Sequence, residues 1–269
     1  MTSIALTIAG SDPSGGAGLQ ADLKTFHQHG VYGMSVVTLL TVQNTRTVTA
    51  IKVIDAGFVT AQLHAVLDDI PPGAAKTGAL GSTAVIEAVA RQAEAFDFPL
   101  VVDPVMISKH GQTLIDDDAV GMLRDRLLPR AFLVTPNIHE AASLTGMKIN
   151  DPAGMERAAQ RIAALGPQHV LVKGGALSGR ATDVLLSHGE FHRFSESHID
   201  SMQTHGSGCV FSAAITARLA RGETLLQAVA GAKQFVTEAI RTAPRLGRGV
   251  GPTNMSAAES KGSGVFSAD

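Results

Sequence analysis

Short apolar runs and stretches of helical period alternate along almost the whole chain. Ile4 to Ala9, Ala74 to Lys76, Leu100 to Val102, Phe132 to Val134 and Val170 to Val172 are the brief runs expected of strands buried on both faces. Between them, Ala17 to His29, Phe58 to Asp68, Thr83 to Ala95, Ala119 to Leu128, Ile138 to Leu144, Ala153 to Leu165, Val210 to Arg221 and Leu225 to Ala243 carry helical spacing. Strand and helix taking turns in this order predict right-handed crossovers and a mostly parallel sheet covered on both sides, an α/β fold. No linker or repeat interrupts the alternation, so residues 1–254 read as one domain. From about Met255 onward, residues 255–269 lose the periodicity, gain Gly and Ser, and read as a flexible tail.

In an open parallel sheet, ligands bind beyond the carboxyl ends of the strands. The residues there are Gly10-Ser11-Asp12-Pro13-Ser14-Gly15-Gly16, Lys76-Thr77-Gly78, Asp103-Pro104, Thr135-Pro136-Asn137 and Lys173-Gly174-Gly175. Taken singly, each is what a βα turn prefers. Together, with two lysines and an aspartate among them, they point to a shared site for an anionic ligand.

Composition narrows the classes. With 269 residues, 45% hydrophobic and 17% charged, the chain can bury a sizeable core. A net charge of −2, no basic block, ten Phe, one Tyr and no Trp give nucleic-acid binding no support. The single cysteine, Cys209, cannot close an internal disulfide, which fits a reducing compartment. The amino-terminal stretch has no Lys or Arg before Lys24, and the apolar run Met34 to Val42 falls short of the roughly 20 residues of a membrane helix. The expectation is a cytoplasmic protein with no membrane partner.

The segment Asp200 to Cys209 ends in Thr204-His205-Gly206-Ser207-Gly208-Cys209 and runs into a helical stretch. Glycines at a helix start let a ligand approach the free N–H groups, a candidate anion hole. Cys209, in the first turn, is either a small buried hydrophobe or a thiol whose pKa the helix dipole lowers; its place after Gly-Ser-Gly favours the second. No Gly-Lys dipeptide, His-Arg-Asp or Asp-Phe-Gly occurs, which excludes a Walker A loop and a protein-kinase site. Gly10 to Gly18 lacks GxGxxG spacing, so a dinucleotide site is not expected. His188 and His192 flank what reads as a hairpin turn and are taken as solvated residues rather than metal ligands. Asp103 and Glu140 form the pair suited to a divalent cation near phosphates, although Glu140, three residues after Asn137, equally fits a capping box. Lys173 is expected to face the same edge.

These residues carry a resemblance. AGSDPSGGAGLQADLKTF (Ala9 to Phe26), LTVQNT (Leu40 to Thr45), KTGAL (Lys76 to Leu80), VVDPVM (Val101 to Met106), LVTPNIHEAASLTG (Leu133 to Gly146), VLVKGG (Val170 to Gly175) and THGSGC (Thr204 to Cys209) resemble, in order, the hydroxymethylpyrimidine/phosphomethylpyrimidine kinases of thiamine biosynthesis. The likeness runs from about residue 4 to residue 254. It implies a ribokinase-like three-layer α/β/α sandwich that phosphorylates a pyrimidine alcohol, and then its monophosphate, with ATP and Mg²⁺, as a homodimer. It also implies roles: Cys209 as the base toward the CH₂OH, Gly206, Ser207 and Gly208 as the anion hole, and Asp103 and Glu140 around Mg²⁺. Lys173, with Asn137 and Thr204, falls on the ATP side, and Gly10, Asp12, Ala17, Gln43, Ala79 and Val105 around the pyrimidine. The amide of Gln43 offers both donor and acceptor to an aminopyrimidine edge.

Three positions depart from the family pattern. Ala79 stands where Met is usual, His110 where a small residue is common, and Met255 where His is frequent. Ala79 removes bulk from a pocket wall, and related enzymes phosphorylate pyridoxine-type alcohols. A pyridoxal/pyridoxine kinase is therefore the first alternative, and a non-catalytic nucleotide-binding α/β protein the second. His110 falls where a lid over the phosphates is expected.

Overall fold

The computed structural model describes residues 2–107, 111–115, 117–175, 177 and 179–258. His110 lies outside the described residues. The five predicted strands are β1 (Ile4–Ser11), β4 (Ala74–Thr77), β5 (Leu100–Val102), β6 (Leu133–Val134) and β7 (His169–Val172). Four more, which the search for apolar runs passes over, extend the sheet: β2 (Tyr32–Gln43), β3 (Val48–Val53), β8 (Ala181–Ser187) and β9 (Glu190–Glu196). The order is β3-β2-β1-β4-β5-β6-β7-β8-β9. The six strands from β2 to β7 in that order are parallel, whereas β3, β8 and β9 join antiparallel at the edges. Edge strands expose part of their surface and take charged residues such as Lys52, Glu190 and Arg193, which hides them from a search for apolar runs. The turn between β8 and β9 is the predicted hairpin: His188 and Gly189 have φ of 50° and 82°, the left-handed pair of a two-residue connection.

The helices are α1 (Gly18–Gln28), α2 (Ala56–Leu67), α3 (Thr83–Ala93), α4 (Asp117–Met122), α5 (Ile138–Thr145), α6 (Pro152–Ala163), α7 (Ser207–Ala220) and α8 (Leu225–Arg241). Several begin at side chains that satisfy an otherwise unpaired N–H: Asp55 accepts from Phe58 N, Ser82 from Val85 N and Asp151 from Gly154 N. The one helix predicted over Ala119 to Leu128 is instead α4, a π turn over Leu123–Leu127 and a 3₁₀ turn over Leu128–Arg130. Pro129 has no N–H to offer and ends the regular ladder there.

Alternation along the strands divides the core between two helical layers. Leu6, Ile8, Leu100, Val102, Val134 and Val170 pack with residues of α2 to α6, including Leu63, Ile86 and Ile162. Ala74, Val101, Leu133 and Leu171 pack on the opposite face with Val210, Ile215 and Phe235 of α7 and α8, while Ala5 and Phe26 meet Ala213 and Ala217 beside them. The result is the three-layer α/β/α sandwich. Helix α7 is buried nearly all round because the sheet, α1 and α8 each cover part of it.

The predicted tail begins too early. Met255 and Ala257 are buried in the α7–α8 layer, Asn254 N donates to Ala239 O, and Gln28 Nε2 donates to Ala257 O. Apolar contact therefore holds the chain beyond residue 254, and residues 259–269 lie outside the described ones. Among the described residues no helix is long and apolar enough to cross a membrane.

Candidate active site

From β1 the chain builds outward through β2 to β3, then returns to place β4 on the other side of β1. A crevice opens at the carboxyl ends of strands where such a reversal occurs. Helix α7 starts at this edge, packed against β1, β4 and β5. Its cap, Gly206, has φ of 76°, and a Cβ there would run into the carbonyl oxygen of Gly16. Only glycine allows the helix start to sit this close to the first loop. Gly18 opens α1 with φ of 57°, where a Cβ would run into Gly10 O. Ser207 N donates to Thr204 O and Val210 N to Gly206 O, so the N–H groups of Gly208 and Cys209 are left without an acceptor among the described residues.

A charged cluster faces this helix start. Asp103, 2% exposed at the end of β5, accepts from Lys173 Nζ at 2.9 Å, from Thr135 Oγ1 at 3.4 Å and from Ser212 Oγ at 3.0 Å. Burial alone would raise the Asp103 pKa, but Lys173, Lys76 and the Ser212 hydroxyl outweigh it and hold the carboxyl below its usual range. Lys173 reaches under α7: a Cβ on Gly208 would lie 3.4 Å from its Nζ. Burial would lower the Lys173 pKa, yet Asp103 and Glu140 raise it, so the ammonium form is secured. Asn137 caps α5 in a complete capping box, with Glu140 Oε2 accepting from Asn137 N at 2.8 Å and Asn137 Oδ1 accepting from Glu140 N at 2.9 Å. The two proposed uses of Glu140 are not exclusive, because the other carboxylate oxygen has no protein donor among the described residues. Burial, helped by the charge of Asp103 and opposed by Lys173, pushes Glu140 up to about 7.

The first loop is built around Asp12. Its Oδ1 accepts from Ser14 N at 2.9 Å and Ser14 Oγ at 2.7 Å; its Oδ2 accepts from Ala17 N at 2.9 Å and lies 2.7 Å from His205 Nε2. Burial works to raise its pKa, but the His205 and Ser14 contacts prevail and lower it. Asp12 and the Ala17 N–H are thus occupied by each other, which makes them organisers of the loop rather than free ligand contacts. Gln43 ends β2 with its amide nitrogen 3.3 Å from His205 Nε2. Gly10 lies within β1, where a Cβ would meet Leu39 Cδ1 at 2.5 Å. Ala79 follows β4 half-buried, its carbonyl accepting from Thr38 Oγ1 at 2.6 Å, and Val105 follows Asp103, donating its N–H to Asp103 O at 2.8 Å.

Cys209 corrects one expectation. Its thiol is not lowered; burial pushes it up to about 12, against the pull of Lys76, so the resting group is a thiol. Lys76 is also displaced from its expected place at the edge. It is fully buried inside β4, 2.8 Å from Asp22 Oδ1.

His205, Ser212 and the Lys76–Asp22 pair are absent from the sequence-derived set. His205 lies within the Thr204 to Cys209 motif, and Ser212 follows Cys209 by three residues, one helical turn on the same face, so a signal existed for both. His188 and His192 gather no third ligand: no group of three or more His, Cys, Asp or Glu able to hold a metal occurs among the described residues.

Residues 12–254 match the phosphomethylpyrimidine kinase family. The "Thiamine biosynthesis bifunctional protein ThiED" of Geobacter sulfurreducens is 51% identical over 93% of this chain, which spans only 51% of that longer protein. The hydroxymethylpyrimidine/phosphomethylpyrimidine kinase of Synechococcus elongatus is 47% identical over 93% of this chain and 95% of its own length. Among solved structures, the ADP complex of Bacillus subtilis pyridoxal kinase superposes with a TM-score of 0.88 at 40% identity, covering 96% of this chain and 98% of the other. The family match spans the first loop, the Asp103–Lys173 pair and the start of α7, the same segments that the fold brings to one edge. The chain belongs to the phosphomethylpyrimidine kinase family.

Proposed function

We propose that the chain transfers the γ-phosphoryl group of ATP to the hydroxymethyl oxygen of 4-amino-5-hydroxymethyl-2-methylpyrimidine, and then phosphorylates the monophosphate to the diphosphate. The observation that carries this reading is the meeting, at one edge, of the unengaged N–H groups of Gly208 and Cys209 with the buried Asp103–Lys173 pair. Phosphoryl transfer asks a protein mainly for positioning and charge stabilisation, which such an edge supplies. In the first step Cys209, having lost its own proton to solvent, takes the proton of the acceptor hydroxyl at Sγ as the hydroxyl oxygen bonds to the γ-phosphorus. The bond from that phosphorus to the bridging oxygen breaks, and ADP leaves. The N–H groups of Gly208 and Cys209 hold the charge on the transferred group, and Lys173, bridged to Asn137, faces the donor phosphates together with Thr204.

A divalent cation fits the residues present when it enters with the nucleotide: Asp103 and the unpaired oxygen of Glu140 are two carboxylates, too few for a cage but enough beside phosphates and water. Magnesium bound there would neutralise phosphate charge. Glu140→Gln keeps an acceptor for the Asn137 N–H and so keeps the cap. Its expected effect is a raised Mg²⁺ requirement and about tenfold or greater loss of turnover, the scale of one charge at a transferring phosphoryl group. An unchanged Mg²⁺ titration in the folded variant would leave Glu140 with capping alone.

On the acceptor side, Gly10, Gln43, Ala79 and Val105 line the ring position, with Asp12 and Ala17 shaping the loop. Ala79→Met refills a wall, and overpacking typically costs about 1 to 3 kcal/mol. The expected outcome is that pyridoxine phosphorylation falls more than that of the hydroxymethylpyrimidine. A ratio of the two activities that does not move would take Ala79 out of the pocket.

ADP release with the pyrimidine alcohol, its monophosphate, pyridoxal and pyridoxine tests the whole reading. Turnover with both pyrimidines is the expected result. Turnover with only the pyridoxal group would make the chain a pyridoxal kinase, and none with any acceptor would favour a binding role. The working form we propose is a cytoplasmic homodimer, which light scattering measures directly as twice the chain mass.

A further inference from the structure

His205 has no part in the phosphoryl transfer described above, yet it touches Gln43 and is itself firmly placed. Its side chain is buried, its N–H donates to Gly251 O at 3.0 Å and its carbonyl accepts from Thr253 N at 3.3 Å. A Cβ on Gly16 would lie 2.5 Å from its Cδ2, so the ring has little room to swing. His205 Nε2 lies 2.7 Å from Asp12 Oδ2. That carboxylate is an acceptor throughout, since its two oxygens take the Ser14 N–H, the Ser14 hydroxyl and the Ala17 N–H. Nε2 is therefore the ring nitrogen that carries a proton and donates it.

The pairing of β2 with β3 shifts register between Val42 and Gln43, an irregularity of the kind that re-aims a side chain. One end of the Gln43 amide lies 3.3 Å from His205 Nε2, and the other lies 3.3 Å from Thr41 Oγ1. The two ends have the same shape, and a half-turn about Cγ–Cδ exchanges them. With the nitrogen toward His205, two N–H donors face each other. Thr41 has one hydroxyl proton, which goes to Ser11 O at 2.9 Å, so its lone pairs would meet the amide oxygen. With the oxygen toward His205, the amide accepts from Nε2–H and donates to Thr41 Oγ1, and both conflicts disappear.

We propose that His205, fixed by Asp12, is a specificity-determining positioning residue: it holds the Gln43 amide oxygen toward its own ring, so the acceptor molecule meets an acceptor and a donor in one order only. This role rests on the placement of Gln43 at the acceptor ring. Each end of the held amide keeps one polar position, a lone pair on the oxygen and an N–H on the nitrogen. A 4-aminopyrimidine edge answers them with its exocyclic N–H and its ring nitrogen. A pyrimidinone of the same shape, with an oxo group replacing the amine and a proton on the neighbouring ring nitrogen, offers the reverse order and matches neither.

Titration calorimetry on the full chain without nucleotide compares 4-amino-5-hydroxymethyl-2-methylpyrimidine with its 4-oxo counterpart and needs no phosphoryl transfer. The parent is expected to bind the amino compound about tenfold or more tighter, the scale of buried polar groups left without partners. His205→Leu frees the amide to turn and is expected to bring the two affinities within about threefold of each other. His205→Gln carries an N–H to the reach of Nε2, where Asp12 again accepts it, and is expected to restore the preference. A merely loosened loop would weaken both ligands together and leave their ratio unchanged. The parent ratio in folded His205→Leu, or no recovery in folded His205→Gln, would overturn the proposal. Should His205→Leu fail to fold, long-range nitrogen–proton NMR spectra of the parent histidine rings show which nitrogen of His205 is protonated, and a bare Nε2 would overturn it equally. Gln43→Leu separates the two readings. A preference lost there but kept in His205→Leu removes only the role of His205, whereas one kept in both takes Gln43 away from the ring and the proposal with it. The expected ratios in a chain that transfers no phosphate to either pyrimidine would support the role of His205 and overturn the kinase reading alone.

Discussion

Cys209→Ala is expected to lose about 10² to 10⁴ in the rate of phosphorylating the pyrimidine alcohol, the usual contribution of a positioned base, while the second phosphorylation falls much less. The two acceptors differ in what they ask of the enzyme. An alcohol oxygen must shed its proton during attack, whereas a phosphate monoester, with a second pKa of about 6, is already ionised at neutral pH. The proposed anion hole is backbone and should survive the substitution. Because burial pushes the Cys209 thiol up to about 12, the active thiolate is scarce at neutral pH and grows about tenfold per unit as pH rises. The first reaction should therefore speed up continuously across pH 7 to 9, losing rate as pH falls, and the second should level off above roughly the phosphate pKa of 6. Equal losses in both steps, in a folded variant that binds ATP normally, would assign Cys209 to packing. No loss in either would remove it from the reaction.

Asp103→Asn should reduce both steps by about 10² to 10³, the scale seen when one electrostatic partner of a transition state is removed. The contrast with Cys209 follows from the proposed place of Asp103 on the donor side, common to both acceptors. Its carboxylate holds Lys173 at 2.9 Å and takes the Ser212 hydroxyl at 3.0 Å, so the amide keeps the shape but leaves the buried ammonium without its counter-charge. Thermal unfolding should show a lower melting temperature, since an uncompensated buried charge is costly. Kinetics on the alcohol and the monophosphate, at saturating Mg²⁺, give the comparison. A loss confined to the alcohol would place Asp103 with the acceptor and contradict the donor-side assignment.

Local pattern alone was enough for the alternation of strand and helix, the glycine-rich start of α7 and the gathering of strand tips at one edge. Period and turn chemistry are carried by neighbours in the chain, and β1, β4, β5, β6 and β7 are buried on both faces, which makes their runs mostly apolar. The edge strands β3 and β9 left little trace, since half-exposed strands need not be apolar. The expected lowering of the Cys209 thiol failed for a related reason: a helix dipole is a local property, whereas desolvation depends on everything packed around the sulfur.

What the sequence by itself determined is the fold class, the family and the segments that meet at the carboxyl edge of the sheet. Tertiary structure alone decided how those segments share their polar groups. Asp12 is bound to His205, 193 residues away in the chain, Asp103 to Lys173 and Ser212, and Lys76 to Asp22, turning a presumed edge lysine into a buried charge. Each pairing joins elements brought together by parallel crossovers, and a buried polar group must find its partner wherever the fold places one. No spacing along the chain encodes that distance.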